Sequence, residues 1–304
     1  MTDMSDPVPM VAVPAGMFWM GAEDHYPEEG PVRTASVAAF RIDRHPVTNR
    51  QFTRFVADTG YITVAERPLD PAAYPGVDPD RLVPGALVFR APRRGARASN
   101  VGDWWAYVPG AHWRRPEAGT TVFAGRLDHP VTCVAHEDAA TYAAWAGKRL
   151  PSEAEWECAA RGGLERATYA WGDEQTPGGK RMANIWAGEF PHRDLRPTKG
   201  HRTTRVGSFP ANGFDLVDMI GNVWEWTNDW YRSDPTAGPA PPCCSPPEDS
   251  YDPDQLQVRI PRRVLKGGSF LCAPNYCARY RPAARQAQMI DTASVHIGFR
   301  CASD

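Results

Sequence analysis

The residues of this 304-residue chain best suited to chemistry are two cysteines, Cys272 and Cys277, in the tract Lys266-Gly-Gly-Ser-Phe-Leu-Cys-Ala-Pro-Asn-Tyr-Cys-Ala-Arg-Tyr-Arg281. Five positions along an α-helix turn through roughly 140°, which puts the two side chains on different faces. An odd separation in a strand sends them to opposite sides of the sheet. The intervening Pro274-Asn275 is turn chemistry: Pro presets φ for the first corner, and Asn tolerates φ > 0 at the second. A chain reversal there lets the two sulfurs meet. Three uses of such a pair stay open: a disulfide, a dithiol redox couple, or a soft-metal site. Zinc is disfavoured, because structural zinc wants four ligands and no second C-x-x-C or H-x3-H lies nearby. Two thiolates alone suit Cu(I), which accepts soft sulfur and low coordination.

The other thiols read as bland. Cys133 and Cys158 are expected to be small buried hydrophobes, and Cys301 to serve packing. Cys243-Cys244 sit in the Pro-rich tract Ser233 to Ser250, which reads as flexible, and are expected to be exposed and incidental. None of the eight His lies at metal-ligand spacing with another, so ordinary surface or core roles are expected of them.

Several local signals define the elements that must hold the pair. Met10 to Gly21 alternates small and apolar residues around Pro-Ala-Gly and predicts a hairpin. Thr48 offers an N-cap before Phe52, Phe55 and Val56, with Gly60 as the stop, which predicts an amphipathic helix. A second helix fits Glu137 to Ala146, closed by Gly147. A third begins at Ser152, whose capping box with Glu155 is written S-x-x-E, and stops at Gly162-Gly163. Between the first two helices, Ala65 to His129 lacks periodicity but contains Trp104, Trp105 and Trp113, which predict a packed tract. Short apolar runs such as Val264-Leu265 and Ile297-Gly298-Phe299 read as strands.

Composition bounds the rest. Gly 26 and Pro 30, nearly a fifth of the chain, sit beside 11 Trp. Disordered chains are short of aromatics, so the chain reads as a fold dominated by ordered loops. Lys+Arg 34 against Asp+Glu 36 removes the electrostatic argument for nucleic acid. No run approaches the ~20 apolar residues of a membrane helix. Met1 to Met10 has no basic n-region or apolar h-region, so a cytoplasmic protein is expected. No repeat or composition shift marks a boundary. The expectation is a tail over residues 1–9 and a single α+β domain over 10–304, working as a monomer.

Gly221-Asn-Val-Trp-Glu-Trp226, Lys266-Gly-Gly-Ser-Phe270, Arg149-Leu-Pro-Ser-Glu-Ala-Glu-Trp156, Ala183-Asn-Ile-Trp186 and Ile297-Gly-Phe-Arg300 resemble the formylglycine-generating enzyme (sulfatase-modifying factor) family. The resemblance runs from about Met10 to Cys301. Most of these motifs belong to the wider superfamily; Cys272-x4-Cys277 after Gly-Gly-Ser is similar to the active site of its formylglycine-generating members, of the bacterial type. The resemblance implies a variant C-type-lectin-like fold with little regular secondary structure. It implies oxidation of the cysteine in a Cys-x-Pro-x-Arg segment of unfolded sulfatases to Cα-formylglycine, with O2 as co-substrate. Cys272 and Cys277 match the family's Cu(I) cysteines. Ser269 and Tyr276 match its active-site serine and tyrosine, with hydrogen-bonding roles.

The resemblance also implies structural Ca2+. Asp218 and Glu225 match the carboxylates of one family site, with Gly221 and Val223 as carbonyl donors. Asn184 and Ile185 match part of a second site, whose usual aspartate aligns with Thr198. The half-cystines of secretory relatives are absent, with Ala143 and Ala160 standing in those helices. Trp224, Trp226 and Tyr276 are candidates to line a peptide groove. A sulfoxide synthase using non-haem iron would need a His cluster that the four His of the first 130 residues (25, 45, 112 and 129) do not form. A non-catalytic lectin-like binding module would need neither cysteine. A thiol–disulfide oxidoreductase would use the same pair without metal or air.

Overall fold

The computed structural model describes residues 8–92, 100–196, 202–237 and 245–304. Among these residues three α-helices stand beside short strands. The strands are β1 (Met10–Val13), β2 (Gly16–Met20), β3 (Arg33–Val37), β4 (Phe40–Asp43), β5 (Gly85–Phe89), β6 (Trp105–Pro109), β7 (Gly188–Glu189) and β8 (Arg193–Asp194). After them come β9 (Trp224–Trp230), β10 (Arg262–Lys266), β11 (Arg285–Met289), β12 (Ile297–Gly298) and β13 (Ala302–Ser303). The α+β expectation agrees with this content. Cys243-Cys244, Thr198 and the middle of the Pro-rich tract lie outside the described residues.

The helices form where their caps place them. In α1 (Asn49–Thr59) the Thr48 backbone N–H donates to Gln51 Oε1 at 2.9 Å, and Gly60 closes the helix at φ +68°. Phe52, Phe55 and Val56 face inward. α2 spans His136–Trp145, one residue earlier than expected, because Asp138 receives the Ala135 N–H at 2.8 Å and fixes the start there. In α3 (Glu153–Arg161), Ser152 and Glu155 exchange N–H bonds of 2.8 and 3.1 Å. Each cap satisfies amide donors that the first turn leaves unpaired.

The predicted hairpin over Met10 to Gly21 does not form. β1 pairs with β4, which also carries β13, while β2 pairs with β3. The link Pro14-Ala15 supplies neither of the φ > 0 corners of a two-residue hairpin turn, so each strand takes a distant partner. Packing starts ahead of β1: Val8 is buried, and the Pro9 carbonyl accepts the Arg44 N–H at 2.8 Å.

The sheet that matters for function has the order β11-β10-β9-β12. β10 and β11 are antiparallel from Arg262↔Met289 to Lys266↔Arg285, and β12 runs parallel to β9. Residues 267–284 therefore form a loop with both ends fixed in adjacent strands. Trp113, Trp156, Trp186, Trp224 and Trp226 are fully buried, and Trp104 nearly so, which is how a chain with little regular structure acquires a core. Among the described residues no helix is long and apolar enough to cross a membrane.

Candidate active site

Helix α3 is the platform of the loop. Glu153 takes the Arg285 guanidinium at 2.8 and 3.0 Å, and Glu157 takes Lys266 Nζ at 2.9 Å. One helix face thus holds both strand ends from which the loop departs. Burial alone would raise the Glu157 carboxyl, but Lys266 and Arg161 outweigh it and keep the group ionised. After Lys266 the chain turns at Gly267 (φ +94°) and Gly268 (φ +74°). A Cβ at Gly267 would meet the Trp156 ring at 2.9 Å, and one at Gly268 would meet the Arg279 carbonyl oxygen at 2.7 Å. Glycine is needed for the conformation and for the close approach.

The reversal expected at Pro274-Asn275 is present. The Ala273 carbonyl accepts the N–H groups of Tyr276 (3.1 Å) and Cys277 (2.9 Å). Cys272 Sγ and Cys277 Sγ lie 3.4 Å apart as free thiols. Asn275 contributes differently from the expectation. It keeps out of the φ > 0 region, and its amide instead clamps the Phe190 backbone, accepting from N at 3.3 Å and donating to O at 3.1 Å. Phe190 in turn stacks on the half-exposed Tyr276 ring, with centroids 4.3 Å apart.

The two sulfurs are electrostatically unequal. Cys272 is buried and its thiol is pushed up, first by desolvation and then by its neighbour. Cys277 is the more acidic, because the Cys272 thiol donates to it and Arg279 lies beside it. Ser269 is bound into the same group. Its N–H donates to Cys272 Sγ at 3.4 Å, and its hydroxyl oxygen accepts the Leu271 N–H at 3.2 Å.

A cavity of about 500 Å³ opens onto the pair. Ser269, Cys272, Tyr276 and Cys277 all line it, as does Trp224. Trp226 does not: its ring is buried in the core, donating to the Val134 carbonyl at 3.1 Å. Sequence reasoning missed Glu28, Trp105, Arg279 and His296, which also line the cavity. His296 in particular places its Nδ1 3.3 Å from Ser269 Oγ. A segment from Tyr26 to Gly30 straps the far side of the loop. Tyr26 Oη accepts the Ala278 N–H at 3.0 Å, Glu28 pairs with Arg279, and Glu29 pairs with Arg281. Only chain reversal over some 250 residues brings these groups together, and no local spacing announces it.

Of the other described thiols, Cys133 and Cys301 are buried as expected, whereas Cys158 on α3 is only partly buried, packed against the edge of the core. Among the described residues no group of three or more His, Cys, Asp or Glu side chains is placed to hold a metal. At the first calcium set, Glu225 is bound by Arg300 at 2.7 and 2.9 Å and by Trp156 Nε1 at 2.8 Å. Asp218 is buried, accepts the Gly207 N–H at 2.6 Å, and is pushed up to about 6 by desolvation, with the Glu225 charge adding to it. A buried carboxylate of that kind fits a cation. At the second set, Asn184 Oδ1 already accepts Arg196 at 2.8 Å, so a cation from the chain serves that oxygen and the donor set does not fit calcium.

The family model for the sulfatase-modifying factor enzyme 1-like domain matches residues 2–304. The chain is 53% identical to the formylglycine-generating enzyme of Mycobacterium tuberculosis over 97% of both chains. It is 46% identical to the formylglycine-generating enzyme of Thermomonospora curvata, covering 97% of this chain and 93% of the relative. Among solved structures, PvdO from Pseudomonas aeruginosa matches with a TM-score of 0.64 at 24% identity, over 97% of this chain and 94% of that one, a likeness of fold. The chain belongs to the sulfatase-modifying factor enzyme family.

Proposed function

We propose that the chain is a formylglycine-generating enzyme, which oxidises the cysteine of a Cys-x-Pro-x-Arg segment in an unfolded sulfatase to Cα-formylglycine with O2. The observation that carries this reading is the pair of free thiols, Cys272 and Cys277, 3.4 Å apart on an open cavity. The electron balance is simple. The substrate Cβ–S unit gives up two electrons to reach the thioaldehyde level, and hydrolysis releases sulfide and leaves the aldehyde. A reductant supplies the other two electrons that take O2 to water.

Two soft sulfur donors side by side, without a third protein ligand, fit Cu(I) better than zinc. Cu(I) held by Cys272 and Cys277 would supply O2 activation, which side chains do poorly alone. The chain's own residues do the rest. Arg279 and the Cys272 thiol favour the Cys277 thiolate, a charge state that metal ligation requires. Ser269, whose hydroxyl oxygen accepts the Leu271 amide, and Tyr276, fixed by the Phe190 stack, offer hydrogen bonds to the oxygen species or the substrate backbone. Trp105 and Trp224 give the cavity apolar walls against which a bound peptide can pack. Asp218, with the Gly221 and Val223 carbonyls, is the proposed structural calcium site, Glu225 being held instead by Arg300 and Trp156. The proposed enzyme works as a monomer in a reducing cytoplasm, which keeps Cys301 unpaired.

The test is incubation of copper-loaded protein with a Cys-x-Pro-x-Arg peptide and a reductant in air, with mass spectrometry of the peptide. Conversion of Cys to the aldehyde is expected. Peptide oxidation that stops at a disulfide and proceeds without air would favour a thiol–disulfide oxidoreductase. Full activity after strict copper removal would overturn the cofactor while leaving the reaction.

A further inference from the structure

His296 lines the cavity and touches the site at one atom. It lies in the turn just before β12, anchored by its backbone and by one neighbouring ring. Its carbonyl accepts the Trp224 N–H at 2.8 Å, and its ring lies 4.7 Å from that of Trp105. That leaves Nδ1 facing Ser269 Oγ at 3.3 Å. Burial lowers the affinity of the imidazole for a second proton, so the ring is neutral and Nδ1 has one definite role, donor or acceptor.

A serine hydroxyl has one hydrogen and two lone pairs. The Leu271 N–H occupies one lone pair of Ser269. If His296 Nδ1 carries its proton, it fills the other lone pair and leaves the hydroxyl hydrogen for the cavity. If Nδ1 is bare, it takes that hydrogen and leaves a lone pair for the cavity. In both cases the rotor stops turning. Without His296, Leu271 alone leaves the hydroxyl hydrogen free to point in several directions.

We propose that His296 is a positioning residue: through Nδ1 it fixes the Ser269 hydroxyl and so decides what hydrogen bond Ser269 offers in the cavity. The proposal rests on the reading of Ser269 as a working part of the site. It acts on the chemical step, because the Ser269 backbone binds Cys272 Sγ and the hydroxyl stands over the same cavity.

The experiment compares wild type with His296→Leu, His296→Asn, Ser269→Ala and the double variant Ser269→Ala/His296→Leu, on a Cys-x-Pro-x-Arg peptide with copper and reductant. Thermal melting confirms folding, and the equally apolar His296→Met replaces His296→Leu if the latter does not melt cooperatively. His296→Leu is expected to lower kcat about ten-fold with KM changed less than about two-fold, the size of one neutral hydrogen bond. His296→Asn, which restores a polar atom near Nδ1, should recover most of the loss. On the Ser269→Ala background His296→Leu should cost nothing further. An equal loss on both backgrounds, or no loss on either, would overturn the His296 assignment and leave the role of Ser269 standing. Full activity of Ser269→Ala would instead overturn the reading of Ser269, and this proposal with it.

Discussion

Arg281 lays both terminal nitrogens on the carboxylate of Glu29, at 2.6 and 2.5 Å. Both side chains are buried. The pair fastens the strap from Tyr26 to Gly30 onto the chain that follows Cys277, and Tyr26 pins the Ala278 amide beside it. Cys277 is therefore held by its own turn on one side and by a segment from the far end of the sequence on the other. Removing one partner of a buried ion pair costs about 3–5 kcal/mol, because the other charge stays buried. Glu29→Gln is expected to lower Tm by several degrees and to lower activity more than the lost stability accounts for. Thermal melting and the peptide assay below the new Tm check this; unchanged activity in a destabilised protein would contradict it.

Gly268 lies where the two arms of the loop pack closely. Its φ of +74° and its contact with the Arg279 carbonyl leave no room for a methyl group. Gly268→Ala should cost on the order of 1–3 kcal/mol and pull Ser269 away from Cys272. Chemical denaturation and kcat would both fall. A variant with wild-type stability would mean that the two arms of the loop are not packed together.

His136 is buried against Trp226, and its pKa is lowered to about 3 by desolvation and then by Arg263. A folded pKa below the unfolded value of about 6.5 means that the unfolded chain binds the extra proton. The corresponding stability is present above about pH 6.5 and is lost as pH falls towards 3, by about 1.4 kcal/mol per unit for one group. His136→Phe cannot take up that proton. The stability difference between wild type and His136→Phe should thus move in favour of the variant between pH 7.5 and 5.5. Denaturant titrations at the two pH values measure it, and a difference independent of pH would contradict it.

The proposed calcium site makes a separable prediction. Ca2+ at a hundred-fold excess over its Kd should add about 2.7 kcal/mol to stability. Since the Asp218 carboxyl titrates near 6, the gain should be larger at pH 7.5 than at pH 5.5. Asp218→Ala should abolish the response of Tm to Ca2+ and to a chelator. An undiminished response would move the ion elsewhere.

How far the sequence alone could go depended on how local each signal was. Thr48 alone, and Ser152 with Glu155, announced helix starts, because a cap lies within one turn of the amides it serves. Pro274-Asn275 announced the reversal that unites the sulfurs, although the work of Asn275 proved to be a clamp on Phe190, 85 residues away. The hairpin expected at Met10 to Gly21 failed because strand pairing is decided by distant partners. Glu28, Arg279 and His296 gave no signal, since their meaning arises only where β11, β12 and the strap converge on one cavity. Trp226 looked like a groove residue and is core, because an aromatic residue in a strand does not reveal which of its neighbours covers it.

The most direct measurement is aldehyde formation on a Cys-x-Pro-x-Arg peptide by wild type, Cys272→Ser and Cys277→Ser, with copper, reductant and air. If the adjacent sulfurs are the working part of the site, wild type converts the peptide and each single variant loses at least about a hundred-fold in kcat/KM. A single variant that still forms the aldehyde at the wild-type rate would contradict the account.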